Sequence, residues 1–67
     1  MTVGERIAEL RGKNGLSQRL LAKKSGLTSP AVCQYESGKR IPDLKSFVAM
    51  CNAFEVKADQ FLRGVDI

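Results

Sequence analysis

Apolar residues recur along the chain every three or four positions, and four short polar or glycine-bearing breaks divide them into helix-length segments. Val3, Ile7 and Leu10 fall at i, i+4 and i+7, so a first helix is predicted over about Val3–Lys13, stopped by Asn14-Gly15. Leu16 is expected to enter the core. Ser17 is placed to cap a second helix, Gln18–Ser25, with Leu21 and Ala22 facing inward and Gly26 supplying a left-handed stop. Thr28 caps a third. Pro30 sits in that helix's first turn, where a missing N–H costs nothing, and Val32 and Tyr35 form its buried side before Gly38. After the extended link Ile41-Pro42, Asp43 caps a fourth helix in which Leu44, Phe47, Val48, Cys51 and Phe54 are expected to form the apolar face. A last helix, about Ala58–Arg63, contributes Phe61 and Leu62. No segment alternates with period two, so the predicted class is all-α.

At 67 residues such a chain builds one domain with a thin core, burying only about 60% of its unfolded surface, and a deep substrate cavity is not expected. Two cysteines, Cys33 and Cys51, occur without a single histidine. That composition argues against the usual zinc patterns and Cys/His nucleophile pairs, and the two thiols, on separate helices, are expected to be reduced. No metal, cofactor or small-molecule substrate is expected, and no catalytic cluster points to an enzyme. The first ten residues carry Glu5, Arg6 and Glu9 and no long apolar run, so neither a signal peptide nor a membrane span is expected, and the location expected is the cytoplasm, associated with the nucleoid.

The net charge of +4 is mild, but its distribution is not even. Residues 11–40 hold Arg11, Lys13, Arg19, Lys23, Lys24, Lys39 and Arg40 against Glu36 alone, while the flanking segments are each slightly acidic. A polyanionic partner for the middle of the chain is implied.

The run QRLLAKKSGLTSPAVCQYES, residues 18–37, has the spacing of a helix-turn-helix. Two helices crossing steeply over a short turn need a small side chain where they touch and a residue tolerant of positive φ in the turn. Ala22 and Gly26 meet those needs, with Val32 apolar on the second of the two helices. On that helix Ser29, Pro30, Cys33 and Gln34 share one outward face opposite Val32 and Tyr35. Gln34 can bond an adenine edge at two points and Ser29 can donate or accept. Pro30 and Cys33 could touch thymine methyls, or serve simply as a rigid helix start and a small side chain at a tight interface. Leu20 should face solvent.

Four strings, GERIAELR (4–11), GLSQRLLA (15–22), QYESGKRIP (34–42) and FEVKADQFL (54–62), occur in an order and spacing that resemble the Cro and phage-repressor type of helix-turn-helix domain over about Gly4–Leu62. The resemblance implies a five-helix, lambda-repressor-like domain, with residues 63–67 as a tail. It implies a third helix that reads bases in the major groove and backbone contacts from Gln18, Thr28, Lys39 and Arg40. It also implies an ion pair between Arg11 and Glu36. The function implied is a sequence-specific regulator of transcription, a repressor, bound as a homodimer to a near-palindromic operator in double-stranded DNA. In such domains pairing involves the fourth and fifth helices, which makes Val56, Val65 and Ile67 candidates. The alternatives are an antitoxin that binds its own promoter and a toxin, and a protein-interaction adaptor that keeps the fold without DNA binding. The chain departs from the family at Ser25, Glu55 and Lys57, where an apolar residue, a glycine and a serine cap are common. Glu55 is therefore expected to take positive φ, and the last helix to lack a cap.

Overall fold

The computed structural model describes residues 1–66 and consists, among them, of five helices: α1 (Val3–Lys13), α2 (Gln18–Ser25), α3 (Ser29–Ser37), α4 (Leu44–Phe54) and α5 (Ala58–Leu62). Their starts follow from side chains that satisfy the orphan N–H groups of each first turn. The side-chain oxygens of Thr2, Ser17, Thr28 and Asp43 accept from the N–H of Glu5, Leu20, Ala31 and Ser46. At α1 the Glu5 carboxylate returns the bond to the Thr2 N–H at 2.8 Å, completing a capping box. These bonds favour the ionised carboxylates. The Thr2 backbone and side-chain bonds hold Glu5 below its ordinary pKa, and the bonds from Ser46 do the same for Asp43.

The last helix is the exception. Glu55 closes α4 at φ 56°, in the left-handed region, and Lys57 gives α5 no side-chain cap. The Gln60 side-chain oxygen Oε1 instead accepts from the Lys57 N–H. Helix α5 ends at Leu62, one residue short of the expected Arg63.

Ile7, Leu21, Val32, Met50 and Phe61 are fully buried and form the centre of the core, with Leu10, Ala22, Tyr35, Cys51 and Phe54 around them. Phe61 from the short α5 is the keystone, packed edge-on against Phe47 with centroids 4.8 Å apart and tilted against Phe54 at 6.2 Å. Burial also raises the Cys51 thiol pKa. Leu16 packs against this core from its rim.

The apolar face of α4 differs from the expected one. Leu44 and Val48 are 78% and 48% exposed, and the buried side is made by Ser46, Met50, Cys51, Ala53 and Phe54. At about 100° per residue, Leu44 sits on the flank of a face centred between Met50 and Phe54, and Val48 lies farther round toward the solvent side. Ser46 is tolerated inside because its hydroxyl accepts from Tyr35 Oη at 3.3 Å.

Two features lock α1 to the rest. Gly4 is buried where α1 crosses α3, and a Cβ there would lie 2.3 Å from the Tyr35 carbonyl oxygen and 2.7 Å from that of Glu36. Arg6 donates from Nε to the Phe61 carbonyl at 2.9 Å and from Nη2 to the Gln60 carbonyl at 2.6 Å, and pairs with Glu9. The single-chain body measures 25 × 25 × 21 Å.

Candidate nucleic-acid interface

Helices α2 and α3 pack on each other across the Gly26-Leu27-Thr28 turn, with Gly26 at φ 74° and Ala22 only 3% exposed at the crossing. The small alanine permits close approach, and the glycine accepts a conformation that a Cβ would strain. With Val32 and Tyr35 turned into the core, Pro30 and Cys33 are exposed on the opposite side of α3, and Ser29 and Gln34 are half-buried beside them. Ser37, one turn beyond Cys33, continues the exposed side. Its position at i+4 from Cys33 was available in the sequence.

Behind this face lies a polar network that fixes α3 against α1 and α2. Arg11 Nε and Nη2 donate to the two carboxylate oxygens of Glu36 at 2.8 and 3.1 Å, a bidentate pair, and Nη1 donates to the Leu16 carbonyl at 3.0 Å. The Glu36 side chain is only 9% exposed and that of Arg11 24%. The pairing raises the Arg11 pKa, so the guanidinium stays charged. Gln18 Nε2 adds a third bond to Glu36 Oε1 at 3.0 Å. The residue expected to hold a phosphate through its amide therefore has one amide N–H turned inward. The N–H groups of Gln18 and Arg19 precede the first intrahelical bond of α2, and are the donors left at that end.

The remaining candidates occupy the edges of the face. Thr28 is exposed, and its hydroxyl is occupied as the cap of α3, accepting from the Ala31 N–H at 3.2 Å. Lys39 and Arg40 are exposed just after Gly38, and their backbone N–H groups both donate to the Gln34 carbonyl, at 3.0 and 3.2 Å. The Arg40 guanidinium lies 5.6 Å from the centre of the Tyr35 ring, and its Nη1 donates to Gln34 Oε1 at 3.3 Å. Gln34 is thus tied at both its main-chain and side-chain oxygens.

A second surface runs beside the exit from α3. Val3, Ile41, Pro42, Leu44, Phe47, Leu62 and Asp66 line an open groove of about 550 Å³, with Ile41 83% exposed. Val56 is half-buried against the core and Val65 is half-buried, whereas Ile41, Leu44 and Val48 are exposed near the groove; Leu20, on α2, is exposed as expected. Ile67 lies outside the described residues. Among the described residues there is no group of His, Cys, Asp and Glu that could hold a metal ion, and no helix is long and apolar enough to cross a membrane.

The helix-turn-helix family pattern matches residues 7–61. The chain belongs to the Cro and phage-repressor type of helix-turn-helix proteins. It is 37% identical over 60 residues to YqaE, an uncharacterised HTH-type transcriptional regulator of Bacillus subtilis, covering 90% of this chain and 52% of that protein. It is 38% identical over 61 residues to the SPbeta prophage-derived regulator YonR of the same organism, covering 91% of this chain and 56% of YonR. The chain thus spans about half the length of these two relatives. Among solved structures, the restriction-modification controller protein C.AhdI from Aeromonas hydrophila superposes with a TM-score of 0.84 at 34% identity, over 88% of this chain and 89% of that one. The P22 c2 repressor, solved in complex with a synthetic operator, superposes with a TM-score of 0.85 at 30% identity, over 96% and 97%. The five-helix, lambda-repressor-like fold expected from the sequence is the one these proteins share.

Proposed function

We propose that this domain binds double-stranded DNA in a sequence-specific way, as the reading head of a transcriptional repressor, with the exposed side of α3 in the major groove. The observation that carries the proposal is the position of that side. Pro30, Cys33 and Gln34 project from a helix whose other side is locked into the core by Val32 and Tyr35 and whose C-terminal end is held by Arg11, Gln18 and Glu36. A helix fixed in this manner presents its side chains to base edges in one register, which base readout requires. Lys39, Arg40 and the first-turn N–H groups of α2 flank it as the phosphate contacts. The P22 c2 repressor, which shares the fold over almost its whole length, was solved on operator DNA.

The partner on DNA is a second copy of the chain. Ile41, Leu44 and Val48 are too exposed to serve this monomer's core, and Ile41 lies on the loop that leaves α3. Two bodies 25 Å across, joined on this face, are of a size that can set two α3 helices one duplex turn apart, roughly 34–36 Å. The operator expected is then a near-palindrome.

Selection of bound sequences from random duplex DNA tests both parts. The expected product is an enriched motif with two inverted half-sites. Recovery of unrelated sequences would overturn the specific-binding part, and a single half-site would overturn the dimer.

A further inference from the structure

Gln34 enters the groove with its amide oxygen already bonded to Arg40, and this bears on which base it selects. An arginine guanidinium carries only donors, so the Gln34 amide atom that faces Arg40 Nη1 at 3.3 Å must be the carbonyl oxygen. Two further contacts favour that position of Arg40. Its backbone N–H is bonded to the Gln34 main-chain carbonyl at 3.2 Å, and its guanidinium rests over Tyr35. Tyr35 is itself buried and anchored through Oη to Ser46. One Nη1–H of Arg40 serves Gln34, and the other guanidinium N–H groups remain for a phosphate, so holding the amide and holding the backbone are compatible.

We infer that Arg40 acts as a positioning residue that fixes the Gln34 amide with its oxygen turned away from the DNA, so that Gln34 offers the groove donors only. The inference rests on the proposed DNA-binding function and goes beyond it by naming the chemistry of the base. A free glutamine amide matches adenine, which presents an acceptor at N7 and a donor at N6. An amide presenting only its NH₂ matches guanine, whose N7 and O6 both accept, and gains nothing from cytosine N4, which donates. Guanine is therefore the base read by Gln34 in this protein. Arg40 is the specificity-determining partner although it touches no base.

The experiment measures affinity for four duplexes that differ only at the base pair opposite Gln34, located as the position where Gln34→Ala levels the four affinities. The parent protein should favour guanine over adenine by roughly five- to hundredfold, the range of one good two-point base contact. Arg40→Ala releases the amide oxygen, and the preference should move to adenine while overall affinity falls. Gln34→Glu keeps the bond to Arg40 but presents a carboxylate oxygen, and should favour cytosine. Lys39→Ala should weaken all four duplexes by the same factor. Where Arg40→Ala binds too weakly at moderate salt, low salt restores measurable affinity and the ratios are read there.

An adenine preference in the parent, or the same base order in the parent and Arg40→Ala, would overturn the inference while leaving DNA binding intact. Absence of salt-dependent binding to any duplex by the parent protein would instead overturn the functional reading on which it rests.

Discussion

Replacing Arg11 by alanine removes two charge-assisted bonds from Glu36, whose side chain is 9% exposed, and leaves that carboxylate with Gln18 alone. Stranding one member of a buried pair costs about 3–5 kcal/mol, whereas exposed pairs contribute about 0–1 kcal/mol. With Arg11 itself one-quarter exposed, water can enter the vacated space and solvate the carboxylate in part, so the expected loss is about 2–3 kcal/mol. A domain of this length has a total stability of about 3–10 kcal/mol. The substitution should therefore lower the melting temperature by about 10–20 °C. The assay is urea unfolding of the parent, Arg11→Ala, Glu36→Ala and the double variant at one salt concentration. Because both single variants break the same interaction, the double variant should be more stable than the summed losses predict by about 1–2 kcal/mol. Losses that add within about 0.5 kcal/mol would show that the bidentate pair does not act as one unit, and would refute the claim that it holds α3 in place.

Gly4→Ala puts a methyl 2.3 Å from the Tyr35 carbonyl oxygen, so α1 must back away from α3; thermal denaturation should show a loss of roughly 2 kcal/mol or more, and an unchanged melting temperature would contradict the close crossing. Cys33 is exposed and Cys51 buried with a raised pKa. A thiol reagent should therefore modify Cys33 alone in the folded protein, and operator DNA should slow that reaction; an equal rate with and without DNA would place Cys33 outside the interface. Asp43 has a folded pKa below its ordinary 3.8 because Ser46 bonds to the ionised form. Its contribution is present above that ordinary value and is lost as pH falls through the lowered one. Asp43→Asn caps without titrating, so the stability gap between parent and variant, measured by urea unfolding, should shrink as pH falls from 7 to about 3; a constant gap would contradict the cap.

Helix boundaries were legible because local chemistry sets them. Ser17, Thr28 and Asp43 cap where their side chains can reach an orphan N–H, and Gly26 and Gly38 stop helices where φ turns positive. The positive φ of Glu55 was legible only through the resemblance to a family in which glycine is common at that place. The buried side of α4 was less legible, because an apolar residue on a helix flank scores like one on its centre. Leu44 and Val48 cannot be separated from Phe47 and Cys51 until neighbouring helices take their places. Gly4 was not legible as a crossing point, because Gly12 lies in the same helix with open space around it, and the carbonyls that Gly4 meets belong to Tyr35 and Glu36 on α3, far along the sequence. Arg6 gave no signal, since an arginine beside Glu9 reads as a solvated helix surface and its bonds to α5 carbonyls depend on the tertiary fold. The roles of Gln18 and Gln34 were only half visible for a related reason. Residue type and spacing put both on the interface, while the bonds to Glu36 and Arg40 that limit what each amide can offer arise across elements.

The account stands most directly on one titration: affinity for a selected operator and for a scrambled duplex of equal length, each measured across a range of salt concentrations. If Lys39 and Arg40 of two copies each neutralise a phosphate, log affinity should fall against log salt with a slope of about −3 to −4 on the operator. The operator should also remain favoured by about a thousandfold or more. A flat plot on both duplexes would contradict DNA binding. Equal affinity for the two at every salt concentration would contradict base reading by α3.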